Sequence, residues 1–146
     1  MNHAKYLGIS LLLVMLCAGG CQTAARDTTG FAVVDSATVD ATFLDAWQAS
    51  KAVLREMELD IYTRDKRGTF VAYSKVKRRL GVLTPRRTEL RITVERISSE
   101  TSRVSVETMR QVYGCSLLTY PDWHDRRTTD NSVAQSFLEA LQTRLS

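Results

Sequence analysis

Residues 89–106 read ELRITVERISSETSRVSV, and the fold follows from the period of this stretch. Leu90, Ile92 and Val94 alternate with Glu89, Arg91, Thr93 and Glu95. A period of two puts one face of a strand on a core and the other in water. Residues 97–102 (ISSETS) form a polar turn, and Val104 and Val106 begin a second alternating strand that runs to about Tyr113. The two strands are expected to pair as an antiparallel hairpin with one apolar face, and that face needs a covering layer.

Upstream, residues 59–63 (LDIYT) carry β-branched and aromatic side chains. Residues 64–68 (RDKRG) make a turn that ends on Gly68, and an extended pattern resumes over residues 69–76. These segments read as a second hairpin. Gly81 and Pro85 then interrupt the pattern, so residues 78–86 are a connection.

The covering layer is expected from two helices. Between about Val39 and Glu58 the apolar residues Val39, Phe43, Ala46, Trp47, Val53, Leu54 and Met57 recur at steps of three and four, with Ser36 or Thr38 as the capping candidate. A short strand at residues 31–34 precedes them. After Gly114 an irregular stretch containing Pro121 leads to Asp130 or Asn131, either of which can cap a final helix carrying Val133, Phe137, Leu141 and Leu145. The expected fold class is α+β: an antiparallel sheet of about four strands, with an N-terminal and a C-terminal helix on one face.

At the head of the chain Asn2, His3 and Lys5 are followed by a nearly unbroken apolar run over residues 6–16, too short for an ordinary transmembrane helix. Then come Ala18, Gly19, Gly20 and Cys21, which resemble the lipobox of bacterial lipoproteins. The resemblance implies cleavage before Cys21, with diacylglycerol and a further acyl chain (palmitate-type) on that cysteine. Two chains anchor a domain stably where one binds reversibly. In such lipoproteins Asp after the cysteine favours inner-membrane retention; Gln22 here implies the periplasmic face of the outer membrane. The expected organisation is a signal peptide over residues 1–20, a flexible tether over 21–30 (CQTAARDTTG) and one domain over 31–146.

Residues 46–72 (AWQASKAVLREMELDIYTRDKRGTFVA) resemble a pattern in small bacterial envelope lipoproteins, including the repeated domains of the Bam-complex C subunit. Its elements are Trp47, Leu54, Leu59, Ile61, Asp65, Gly68 and Phe70. The resemblance implies a helix-grip-like two-layer domain and a non-enzymatic envelope role, and it brings no catalytic residues. The Arg-rich connection and the region of Trp123 have no counterpart in it.

Several chemistries lack their residues. After cleavage only Gly30, Gly68, Gly81 and Gly114 remain, too scattered for a phosphate-cradling loop, and no Gly-x-Ser-x-Gly elbow is present. His124 is the sole mature histidine, so no histidine pair can hold a metal, and no cofactor is expected. Cys115 and His124, with Asp122 and Asp125 nearby, form the alternative reading: a thiol-dependent hydrolase or transferase. Set against it, the acidic pair makes turn hydrogen bonds, Trp123 packs on the domain edge and Cys115 is a small buried residue.

Charge is the stronger signal. Lys5 leaves with the signal peptide, so the mature chain carries 19 Lys and Arg against 16 Asp and Glu, a net of +3. Arg64, Lys66, Arg67, Lys75, Lys77, Arg78, Arg79, Arg86, Arg87 and Arg91 face only Asp65 and Glu89 in the same stretch, a local net of +8. Such a block attracts anionic surfaces. In the periplasm these are lipid headgroups, lipopolysaccharide phosphates, peptidoglycan carboxylates and acidic proteins, and nucleic acid is not an expected partner. The competing reading is a solvated strand edge whose cations prevent edge-to-edge association.

Overall fold

The computed structural model describes residues 27–65, 67–78, 84–114 and 120–146. The signal peptide, Cys21, most of the tether, Lys66, Arg79 and Cys115 lie outside the described residues. The element order is β1 (Val33–Val39), α1 (Phe43–Glu56), β2 (Asp60–Asp65), β3 (Thr69–Tyr73), β4 (Arg86–Arg96), β5 (Ser102–Gly114), β6 (Asp122–Arg126) and α2 (Ser132–Leu145). The fold is α+β, with one antiparallel sheet and two helices.

The expected central hairpin is present and is the longest pairing in the sheet. β4 and β5 run in continuous register from Arg86 opposite Val112 to Arg96 opposite Ser102. Their turn closes on the Thr101 carbonyl, which accepts from the amides of Ile97 and Ser98, both at 3.0 Å. β3 pairs with the far side of β4, and β2 with β3, giving the order β1-β5-β4-β3-β2. The β2–β3 register shifts between Ile61 and Thr63, a bulge at Tyr62 that twists this outer strand.

The sheet has six strands rather than about four. β1 extends well past residues 31–34, and residues 122–126 form a strand where an irregular stretch was expected. Both strands lie on the edge of β5 that β4 leaves free, end to end: β1 opposite residues 102–108 and β6 opposite 110–114. β6 carries Asp, Trp, His, Asp and Arg, with no apolar alternation, so its pairing comes from the unsatisfied edge of β5.

Because Val39 pairs with Ser102, α1 begins four residues later than the periodicity implies. Its cap is Thr42, neither Ser36 nor Thr38, both of which lie in β1; the Thr42 hydroxyl accepts from the Asp45 amide at 3.2 Å. The helix ends in a Schellman arrangement. The Leu59 amide donates to the Leu54 carbonyl and the Glu58 amide to that of Arg55, both at 3.0 Å, with Glu58 in the left-handed region at φ 55°. For α2 the N-cap is Asn131, but the Asp130 carboxylate accepts from the Ser132 amide at 3.1 Å.

Pleating sorts the side chains. Phe70 and Ala72 on β3, Leu90, Ile92 and Val94 on β4, and Val104 and Val106 on β5 share one face and are buried. Against them pack Ala46, Ala49, Val53 and Leu54 of α1 and Ala134, Phe137, Leu138 and Leu141 of α2. Full burial of each large apolar side chain stabilises by about 1.5–3 kcal/mol. Trp47 stacks on Phe70 with ring centroids 5.5 Å apart and donates to the Asp65 carbonyl. Gly68, at φ 107°, fixes the β2–β3 turn: its carbonyl accepts from the Val94 amide at 2.8 Å, and an added Cβ would stand 2.4 Å from the Val94 carbonyl oxygen.

Candidate functional site

The basic block does not act as one patch, because strand pleating and local ion pairs divide it. Arg67 pairs with Asp65 at 2.7 Å, and Lys75 pairs with Glu58. Arg91 sits on the helix-free face of the sheet, 3.3 Å from Glu89 and 3.9 Å from Glu107. Arg64 is exposed on β2, the outer strand of the sheet. Arg86 and Arg87 are adjacent on β4 and therefore point to opposite faces.

Lys77, Arg78 and Arg86 come together, with Arg110 of β5, around a cleft of about 600 Å³ also lined by Ser74, Thr84, Arg87, Thr88 and Asp130. The cause is a mismatch in length. β4 and β5 run beyond the two helices, so that Thr108 is still buried on the helix side while Arg110, the next residue on that face, is exposed. Lys77 and Arg86 are locked as a backbone pair, each amide donating to the other's carbonyl at 2.9 and 3.1 Å. Among the described residues the side chains of Arg78, Arg86 and Arg110 have no acidic partner. Asp130 is held below the usual carboxylate range by hydrogen bonds from Ser132, with the charge of Lys77 adding to the effect. It stays ionised, so five basic residues and one anion line the cleft, with Arg78, Arg86 and Arg110 the ones without an acidic partner among the described residues.

Sequence reasoning missed Arg110, since it lies outside the charge run. The available signal was its register: on the alternation of β5 it shares the face of Val104 and Val106, and an arginine there implies that the helical cover has ended.

The helix-free face carries a second arrangement, centred on Gln111, which is only 7% exposed. Its amide nitrogen donates to Glu89 Oε2 at 2.7 Å and to Asp125 Oδ1 at 2.9 Å, and its oxygen accepts from Arg87 Nε at 2.7 Å. The Arg87 guanidinium lies 3.8 Å from the ring centroid of Tyr73 and 4.1 Å from that of Trp123. Tyr62 packs edge-on to Tyr73, and Tyr113 against Trp123, completing a row of rings. Burial pushes the Glu89 carboxyl up from its ordinary value; Arg91 opposes this, Asp125 adds to it and Arg87 opposes it. This network ties β6 to β4 and β5 by polar bonds and by the ring of Trp123, the one large apolar side chain of the strand.

His124 lies on β6 opposite Val112, with Nε2 3.2 Å from the Gly114 carbonyl oxygen. Asp125 follows it on the strand and engages Gln111 on the opposite face, so Asp125 does not orient the imidazole. Asp122 accepts from the amide of the next residue, Trp123, at 2.7 Å, at the start of a strand rather than in the turn that was expected there. Among the described residues no group of three or more His, Cys, Asp and Glu could hold a metal ion, and no helix is long and apolar enough to cross a membrane.

Comparison with known families finds no family model that matches this chain, and comparison with curated proteins likewise finds no match.

Proposed function

We propose that this protein is a non-catalytic lipoprotein of the bacterial cell envelope, anchored through acylated Cys21 to the periplasmic face of the outer membrane. Its domain is a binding or assembly-accessory module of the helix-grip-like kind found in the Bam-complex C subunit. The observation that carries the binding role is the convergence of Lys77, Arg78, Arg86 and Arg110 on one cleft without matching acidic partners. Cations packed this closely repel one another, and a fold tolerates that arrangement at low cost when an anion neutralises it. The contacting set is therefore narrower than the run from Arg64 to Arg91, and it gains Arg110.

Crosslinking in intact cells tests the module. Reversal of Arg78, Arg86 and Arg110 to Glu is expected to abolish the partners captured by the parent protein, while reversal of Arg67 and Lys75 leaves them in place. Identical partners in both variants would remove the cleft from the mechanism. The anchor has its own assay: Cys21→Ser should accumulate as an unprocessed precursor without acyl label, and normal processing would overturn that part of the reading.

A further inference from the structure

The cleft and the point where the chain enters the domain lie at the same end of the sheet. Phe31 accepts a backbone hydrogen bond from Thr128 at 3.1 Å, and Arg127 lies 5.8 Å from its ring centroid. Asp130, two residues beyond Thr128, lines the cleft. From Phe31 the chain enters β1, which runs away from this end along residues 108 to 102 of β5. Whatever holds residue 21 therefore holds the cleft end of the domain, not the far end of the sheet. Between Cys21 and Phe31 lie nine residues, a span of at most roughly 35 Å when fully extended and about half that when relaxed.

We infer that the domain rests cleft-down on the membrane that carries it, with the anionic phosphoryl group of an acidic lipid head occupying the space among Lys77, Arg78, Arg86 and Arg110. The inference rests on the proposed acylation of Cys21 and deepens the binding role by naming the ligand. Two features favour a phosphoryl group over a carboxylate. The cleft opposes five basic residues with the single carboxylate of Asp130, an excess that matches a multiply charged anion. The planar donor fork of Arg suits the oxygens of either anion, so the choice rests on charge and on the number of donors. The hydroxyls of Thr84 and Thr88 also line the cleft and have no side-chain hydrogen bond among the described residues, so they add donors for which a carboxylate has too few oxygens. A volume of about 600 Å³ holds more than a bare phosphate and admits a headgroup. Basic residues near an anionic leaflet each strengthen association roughly five-fold, so the cleft and the acyl chains together make a two-signal attachment.

The test uses the acylated mature protein, with the acyl group verified by mass spectrometry, reconstituted on three kinds of vesicle. These are phosphatidylcholine alone, phosphatidylcholine with phosphatidic acid, and phosphatidylcholine with charge-matched cholesteryl hemisuccinate, which bears a carboxylate. Amide hydrogen exchange is read over residues 74–78 and 84–88, with residues 60–65 at the far edge of the sheet as the internal reference. On phosphatidic acid the cleft segments are expected to exchange at least about five-fold more slowly than on phosphatidylcholine, with the reference unchanged and the effect largely lost at about 1 M salt. Arg86→Glu with Arg110→Glu should abolish the protection over residues 74–78 and 84–88 while exchange of the paired amides over residues 90–96 and 102–108 stays at the parent level, which separates loss of docking from loss of fold.

Equal exchange on phosphatidylcholine, whose phosphate is neutralised by its own choline, and on phosphatidic acid would overturn docking through an anionic phosphoryl group. Equal protection on the hemisuccinate vesicles would overturn phosphoryl recognition. Protection by inorganic phosphate at matched ionic strength, without any effect of phosphatidic acid, would make a soluble phosphate the ligand and overturn the lipid assignment. An unacylated Cys21 refutes the anchoring reading and the inference with it, and mass spectrometry distinguishes that failure from the others.

Discussion

Replacing Gln111 with Leu keeps the volume of the side chain and removes its three polar contacts, which makes it a direct test of what holds β6. Each contact involves a charged partner: the carboxylates of Glu89 and Asp125 and the guanidinium of Arg87. A hydrogen bond to a charged group contributes about 1.5–3 kcal/mol, and leaving the charge buried without it costs at least as much. The Glu89 side chain is only 12% exposed, so water recovers little of its share, and Asp125 is half-buried as well. With the apolar gain of Leu set against this, the expected loss at about pH 7 is about 3 kcal/mol, a large part of the 5–15 kcal/mol that stabilises a domain.

The loss should depend on pH in a defined direction. The folded-state pKa of Glu89 lies above its ordinary value because of burial, so between those two values the folded protein binds more protons than the unfolded chain. Stability therefore falls as pH rises through that window. Gln111→Leu removes a donor that favours the ionised form, raising the folded pKa further and widening the window. The deficit should then be clearly smaller at about pH 4, where Glu89 is protonated in the variant, than at about pH 7. Urea unfolding followed by the fluorescence of Trp47 and Trp123, at both pH values and in the parent, Gln111→Leu and Glu89→Gln proteins, measures this. A loss below about 1 kcal/mol at pH 7, or an equal loss at both pH values, would refute the account of Gln111 as the donor that keeps two carboxylates together.

Gly68→Ala should destabilise the protein by about 2–4 kcal/mol in the same assay, since the new Cβ meets the Val94 carbonyl and the backbone angle disfavours a side chain. Phe70→Ala empties a fully buried site beneath Trp47 and should cost about 3–5 kcal/mol, with a change in near-ultraviolet circular dichroism from the lost ring stack. Thr108→Val acts in the other direction. The Thr108 hydroxyl is buried without a hydrogen-bond partner among the described residues, so its replacement by a methyl group should be neutral or stabilise by up to about 1 kcal/mol.

The parts of the fold readable in advance were those whose signal is local. Leu90, Ile92 and Val94 alternate because their strand has one dry face, and that pattern carried the β4–β5 hairpin, the β2–β3 hairpin and both helices. β6 was not legible in this way. Residues 122–126 are strand because the edge of β5 beyond Thr108 has amides and carbonyls to satisfy, and because Gln111 and Arg87 reach across to Asp125 and Trp123. The start of α1 was misplaced for a related reason: Val39 fits the helical period, but a partner on Ser102 outweighs a propensity worth less than about 1 kcal/mol. At the candidate site, Lys77, Arg78 and Arg86 were visible as part of a charge run, yet nothing local distinguished them from Arg67, Lys75 and Arg91.

By itself the sequence determined the class of fold, the hairpin at its centre and the presence of a positively charged flank, because hydrophobic period and charge count are properties of neighbours along the chain. Tertiary structure alone decided which of those charges remain unpaired, that Arg110 joins them and that the chain enters the domain beside the cleft they line. The physical reason is that compensation of a charge depends on distance through space. Glu58 and Lys75 are 17 residues apart and paired, whereas Arg86 and Arg87 are consecutive and face opposite sides of a sheet.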